Sequence, residues 1–544
     1  MRFSARWLLF LLPLATLVLM LLAPLARLVL EGWGWAGDLA LAAPAEPWRL
    51  WQDDYLRWRV VWSFTQAGVT CAAALVLGLP VAWVLARFDF RGRQLVLRLL
   101  MLPFVVPTLV AALGVLALWG PRGVLGGWLG VNLQDTPWLL LYGNLFFNLC
   151  LVVRAGVDAL AQVSAQRVAA ARTLGATPWR AFWRVEWPAI IPWLASSLCL
   201  VFLYCFAGFG LALVLGGQRY ATVEVEIYTL VAHELKLAEA SALALWMLLL
   251  TGSVAVAYAV IEKRLAAPTR PEPVARRRPE GAVQWLALAA ALAVLGFFCA
   301  APLLAIAWRA VQAGAQAWAQ VLDAETLAAL WNTLRFSAVA LAAATVLGLT
   351  HALAAQHSLA WRAAAFLPFV VSPVTVAFGL LLLYPKGSAS LFLLLAAYAL
   401  LAYPFVAKSV AAGLDSLPTH LAYAARTLGA SPWRSFWRVT LPLVSPALRR
   451  GMAFAAATAL GEFAVTLFLS RPEWTTLTTL IYQRLGRPGA ANMDAALVLA
   501  CVLMVLALLA FSVIEWPGTD PAARPSASAA SAIKGSGVHD FSHA

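Results

Sequence analysis

The sequence predicts an all-α, polytopic membrane protein with about twelve transmembrane helices, arranged as two parallel six-helix repeats. Three observations carry that prediction. The 544-residue chain is 63% hydrophobic and 12% charged, against about 25% charged in an ordinary soluble domain. Apolar runs recur along it, each long enough to cross a bilayer of roughly 30 Å as a helix. Third, Ala170–Pro188, AARTLGATPWRAFWRVEWP, returns at Ala424–Pro442 as AARTLGASPWRSFWRVTLP, with 15 of 19 positions identical at an offset of 254 residues.

In chain order the candidate spans are 7–30, 60–86, 97–119, 137–154, 189–216, 241–261, 283–308, 331–355, 363–384, 388–410, 443–469 and 494–514. The first follows a basic start, Arg2 and Arg6. Its apolar run outlasts the core of a cleaved signal peptide, so it reads as a retained helix. The fourth and ninth are the most interrupted, by Gly, Pro or polar residues. Trp is abundant, with 25 copies. Trp48, Trp51, Trp58, Trp138 and Trp331 stand at span ends, as in an interfacial aromatic belt.

The net charge is +14, and its distribution argues against a nucleic-acid partner. With the N-terminus inside and sides alternating, inside segments and the inner parts of the spans collect 26 of the 39 Lys and Arg and 10 of the 25 Asp and Glu. Outside segments and the outer parts of the spans hold 13 basic and 14 acidic residues. This is the positive-inside pattern. It predicts a multi-pass membrane protein, in contact with lipid, with both termini in the cytoplasm. The six cysteines lie in or beside apolar spans without CxxC spacing, and the six histidines form no cluster. No metal site is expected.

Residues 1–261 form the first predicted membrane domain and 283–514 the second. Between them 262–282, rich in Pro and Arg, reads as a cytoplasmic linker. The small, polar 515–544 reads as a disordered tail. The halves match beyond the repeated loop: WSFTQAGVTCAAALVLGLP (62–80) resembles NTLRFSAVALAAATVLGLT (332–350), and LPFVVP (102–107) returns as LPFVVSP (367–373).

Capping rules give the loop a local structure. A helix is expected from about Val157 to Leu174, ended by Gly175 in the left-handed conformation. Thr177 then caps a second helix with Pro178 at its first position. Along it Trp179, Phe182 and Trp183 form one face, while Arg180 and Arg184 line a neighbouring one. Pro188 is expected to turn the chain into the next span. Gly429, Ser431, Pro432 and Pro442 repeat these signals. An interfacial anchor explains the amphipathic pattern but not retention of letters across a duplication, so a docking loop for a protein partner is favoured.

The loop resembles the EAA motif of ABC-importer permeases: Glu-Ala-Ala, three residues, Gly, nine residues, Ile, one residue, Leu-Pro. Gly175, Val185, Trp187 and Pro188 fall on its later positions, as do Gly429, Val439, Leu441 and Pro442. Ala170-Ala171 and Ala424-Ala425 supply the alanines, while Ala169 and Tyr423 replace the glutamate. The resemblance spans roughly residues 50–515. It implies the type I ABC importer permease fold, in a fused form, in a bacterial inner membrane. It also implies that Ala170, Arg172, Gly175, Pro178, Trp179, Arg180, Phe182, Arg184 and Pro188, with Ala424, Arg426, Gly429, Pro432, Trp433, Arg434, Phe436, Arg438 and Pro442, couple to two copies of a cytoplasmic ATP-binding subunit. A periplasmic substrate-binding protein is the other implied partner. The runs 51–64, 146–154, 205–218 and 221–230 resemble thiamine-transporting members, which implies thiamine or its phosphate esters as cargo. Fused ferric-iron permeases share part of the pattern and give the alternative.

Of the five lysines only Lys408 precedes a Ser or Thr, and Ala407 stands before it, so the chain has no P-loop. It is expected not to be an enzyme and to bind no cofactor, with ATP and Mg held by partner subunits. An ion-coupled secondary transporter is the rival class. Such proteins place ionisable groups in mid-membrane, and Glu462 is the clearest buried acid here. Glu462 is instead a candidate for the substrate path, with Phe209 and Phe463, which share the loop's offset. A structural acid bonded to backbone is the competing reading. In the outside loops Glu224, Glu226, Glu234 and Glu239 are candidates for docking the binding protein.

Overall fold

The structure, a computed structural model, describes residues 4–35, 51–265, 274–387, 390–469 and 471–515. The predicted tail beyond 515 and residues 266–273 of the linker lie outside the described residues. Within them the fold is helical, with one isolated bridge between Phe88 and Arg277. Ten helices are long and apolar enough to cross a membrane, or eleven if Ala360–Val370 and Pro373–Leu383, bent by 92°, form one span. The predicted run 443–469 becomes the helix Leu441–Leu460 and a shorter one, Ala464–Leu469. It is less apolar than the other spans because Arg449 and Arg450 lie within it.

Proline explains why several helices are longer than their sequences predict. Five-residue π turns occur at Val18–Leu22, Phe182–Glu186, Gly296–Ala300 and Phe436–Thr440. After each comes one residue and then Pro24, Pro188, Pro302 or Pro442. Proline lacks an N–H, and its ring collides with the carbonyl four residues back. A widened turn moves that carbonyl aside, and the residue before the proline donates five residues back, as Trp187 does to Phe182 and Leu441 to Phe436. Pro188 therefore does not turn the chain: Pro178–Phe206 is one helix of 29 residues.

The helix expected from Val157 to Leu174 is also two. Pro137–Leu160 ends in a turn, and Ala165–Thr173 restarts with Ser164 as its cap.

The duplication is visible in individual contacts. The Val223 N–H donates to Ser63 Oγ at 2.8 Å, and the Leu477 N–H to Thr333 Oγ1 at 2.8 Å. Gly78 lies against Val152 as Gly348 lies against Val406. The halves also exchange their first helices. Ser4–Leu17 and Ala23–Gly32 pack on Ala324–Ala355 and Pro373–Leu383 of the second half. Ala282–Leu295 and Ala301–Gln312 pack on Asp54–Arg87 and Thr108–Trp119 of the first. Glycine permits each approach: a Cβ on Gly114 would fall 2.8 Å from the Pro302 carbonyl oxygen, and one on Gly379 3.0 Å from Pro24. Such reciprocal contacts are those of two-fold-related units.

Candidate functional site

The two repeated loops have one geometry. In the first, Gly175 takes φ +85°, and in the second Gly429 takes φ +83°. The left-handed conformation costs other L-residues roughly 1–2 kcal/mol, which is why glycine ends both helices. Thr177 Oγ1 accepts the Arg180 N–H at 3.3 Å, and Ser431 Oγ accepts the Arg434 N–H at 3.2 Å. Short helices Pro178–Ala181 and Pro432–Ser435 follow. Trp179 stands 5.6 Å from Trp183 and 6.4 Å from Phe182, ring centre to ring centre. Trp433 stands 5.4 Å from Trp437 and 6.4 Å from Phe436. Both leading tryptophans are 70% exposed. Arg172, Arg180 and Arg184 are exposed, as are Arg426, Arg434 and Arg438, while Phe182 and Phe436 are half-buried. Ala170, Pro178 and Pro188, with Ala424, Pro432 and Pro442, lie on the same exposed surfaces. Each loop therefore presents an aromatic ridge flanked by guanidinium groups.

The other predicted residues meet between the halves. The helix Trp187–Phe206 breaks at Ala207–Phe209, and Leu441–Leu460 breaks at Gly461–Phe463. These breaks bring Phe209 and Phe463 together, rings stacked at 5.8 Å. Beside them lies a cavity of about 270 Å³ walled by both halves. Phe209, Glu462 and Phe463 line it, as do Phe104, Tyr204, Phe369 and Phe405. Glu462 also has a structural bond, its Oε1 accepting the Val465 N–H at 2.9 Å. The carboxylate thus caps the helix Ala464–Leu469 while bordering the cavity.

Sequence reasoning missed the amides of this cavity. Asn144 and Asn148 line it from the helix Pro137–Leu160. Asn144 Nδ2 donates to Gln66 Oε1 at 2.6 Å, and Gln66 Nε2 to the Cys205 carbonyl at 2.8 Å. Asn148 Nδ2 donates to the Asn144 carbonyl at 2.9 Å, while its Oδ1 is buried without a partner. Two asparagines four apart in an apolar run were the available signal. Two of the acids expected to dock a binding protein are corrected. The helix Val223–Ala232 is folded inward, which buries Glu224 and Glu226. Ser372 Oγ of the second half donates to Glu224 at 2.6 Å, and Arg59 pairs with Glu226 at 3.2 Å. Of the four, Glu234 is exposed and Glu239 half-buried, both close to Lys236.

The chain matches the binding-protein-dependent transport system inner membrane component family over residues 74–267 and 344–516. It is 28% identical to the thiamine transport system permease protein ThiP of Haemophilus influenzae over 498 residues, covering 86% of this chain and 90% of that one. The ThiP of Escherichia coli K12 is 28% identical over 502 residues, covering 87% and 91%. Among solved structures, a bacterial ABC transporter involved in import of the acidic polysaccharide alginate matches 48% of this chain and 98% of its own, with TM-score 0.41 and 17% identity. The two matched segments fall one in each half and together cover more than half of the chain, which therefore belongs to the family of binding-protein-dependent transport system inner membrane components, as a fused form carrying the domain twice.

Proposed function

We propose that this ABC importer permease moves thiamine or its phosphate esters inward through the cavity between its halves. The cavity carries the reading. One carboxylate, Glu462, shares it with aromatic rings and two asparagine amides. A cationic heteroaromatic cargo matches that combination, since a cation is attracted both by a carboxylate and by ring faces. Resemblance to thiamine permeases over most of the chain supports the same cargo.

In this scheme the loops 169–188 and 423–442 face the cytoplasm and dock on two copies of an ATP-binding subunit. Those subunits hold ATP and Mg and hydrolyse the nucleotide. Closing and opening of the pair tilts the halves against each other, which is alternating access by rigid-body rocking. The continuous helix Pro178–Phe206 supports this coupling, because it joins the first docking ridge directly to the break at the cavity. A periplasmic binding protein delivers the cargo to the opposite end.

The test is thiamine uptake by the whole complex in proteoliposomes. Glu462→Gln keeps an oxygen to cap Val465 but removes the charge. It is expected to raise the half-saturating thiamine concentration roughly tenfold, equivalent to about 1.4 kcal/mol. Glu462→Ala also loses the cap and is expected to lower the yield of folded protein. Unchanged thiamine uptake by Glu462→Gln at all concentrations would reject the role of the charge. Uptake of ferric iron instead of thiamine would reject the cargo.

A further inference from the structure

A second cavity, of about 200 Å³, lies at the root of the first repeated loop. Arg87, Arg93, Arg154, Asp158, Val274 and Arg276 are in its wall. Two of the arginines are paired: Arg87 with Glu186 at 2.8 Å and Arg154 with Asp158 at 3.0 Å. Arg93 and Arg276 have no carboxylate within ion-pair distance among the described residues. Arg93 is buried, and its Nε donates to the Leu85 carbonyl at 2.8 Å, which fixes the guanidinium at the cavity wall. Burial holds its pKa below the ordinary arginine value, with Arg276 and Arg154 adding repulsion against a partial offset by Asp89.

Arg276 is held there by the chain that enters the second half. The Asp89 N–H donates to the Arg277 carbonyl at 2.9 Å, and the Arg277 N–H to the Arg87 carbonyl at 3.0 Å. The Arg277 guanidinium covers the Phe88 ring. The described end of the predicted linker is thus docked, and it brings a cation to a wall already rich in cations.

The corresponding positions of the second half carry other residues. At the loop's offset Arg154 becomes Lys408, which lies 4.1 Å from the Phe366 ring centre, and Glu186 becomes Thr440. Arg276 has no counterpart among the described residues.

We propose that this pocket binds a phosphate group. Guanidinium forks match phosphate oxygens in pairs, and a compact dianion or diester needs several donors converging on one small space. The pocket lies where the helix Asp54–Arg87, long and apolar enough to cross a membrane, ends, and phospholipid headgroups meet membrane proteins at the ends of such helices. An anionic lipid and a soluble phosphate compound offer the same chemistry, and the experiment separates them.

Full-length protein in detergent micelles is titrated with phosphatidylglycerol or phosphatidylcholine and followed by native mass spectrometry. In parallel its unfolding temperature is measured with inorganic phosphate against chloride at equal ionic strength. Arg276 is exposed, so Arg276→Gln tests the site without endangering the fold; Arg93→Gln is the second variant. Arg98→Gln, an exposed arginine of the same region that does not line the pocket, is the control. Retention of phosphatidylglycerol but not phosphatidylcholine, weakened about tenfold or more by Arg276→Gln and unchanged by Arg98→Gln, assigns a lipid headgroup. A phosphate-induced rise in unfolding temperature that disappears in Arg276→Gln assigns a soluble ligand. If neither effect depends on Arg276 or Arg93, the proposal is overturned.

Discussion

The two copies of the repeated loop agree where they face outward and differ where they face their own half. Of the 15 identical positions, eleven are exposed in both copies and none is buried. Of the four that differ, Ala181/Ser435 is buried in both copies, Glu186/Thr440 is buried or half-buried, and Trp187/Leu441 is half-buried. The fourth, Thr177/Ser431, exchanges one capping hydroxyl for another. Surface loops ordinarily vary more than the elements they join. The inverted pattern fits the docking proposed above, in which the constraint on these letters comes from outside the chain and one kind of surface reads both copies.

The largest expected effect separates the loops. The first is tied to its half by the buried pair Arg87–Glu186, whereas Thr440 and His357 stand at the corresponding places in the second. Removing one member of a buried pair leaves the other charge uncompensated, at a cost of about 3–5 kcal/mol. Glu186→Thr is therefore expected to lower the denaturation free energy of the detergent-solubilised chain by about that much. The double variant Arg87→His with Glu186→Thr, which installs the second half's residues, should recover most of the loss. A double variant no more stable than the single one would break the idea that the buried root is a private matter of each half.

Much of this comparison was legible in the sequence, because its signals are local. The glycine breaks, the capping hydroxyls and the aromatic spacing each depend on a few neighbouring residues, and each appears at the predicted position. The offset alone paired Phe209 with Phe463, which stack. Contacts made across long stretches of chain left no local mark. Nothing near Gly114 announces Pro302 of the other half, and Glu224 reads as a loop acid until Ser372 is found against it. The π turns hid for another reason: a proline in a helical pattern reads as a stop, and only the widened turn before it shows that Pro188 and Pro442 are passed over.

The next effect should be equal in the two copies. Trp179 and Trp433 are equally exposed and make matching ring contacts. Aromatic anchors of this kind dominate protein interfaces, at about 2 kcal/mol or more each. Trp179→Ala and Trp433→Ala are each expected to weaken capture of the cognate ATP-binding subunit roughly thirtyfold, with little change in the stability of the chain alone. Binding of the purified subunit to each variant in nanodiscs provides the measurement. A strong effect in one copy and silence in the other would mean that the shared letters do not serve a shared partner.

The smallest effect sharpens the comparison at its one exposed difference. Thr177 and Ser431 make the same bond with different side chains, so Thr177→Ser and Ser431→Thr are expected to be neutral. Thr177→Ala or Ser431→Ala leaves an N–H of the first turn without its cap, at about 1 kcal/mol. That turn is short, and the leading tryptophan sits inside it. The loss should appear as faster hydrogen exchange at Arg180 or Arg434, by roughly fivefold, confined to the loop that carries the substitution. Subunit capture should fall by less than in the tryptophan variants, because the ridge frays without losing its anchor. Were the hydroxyl exchange itself to impair capture, Thr177 and Ser431 would be contact residues in their own right, and the loops would differ on the surface that their identity implies they share.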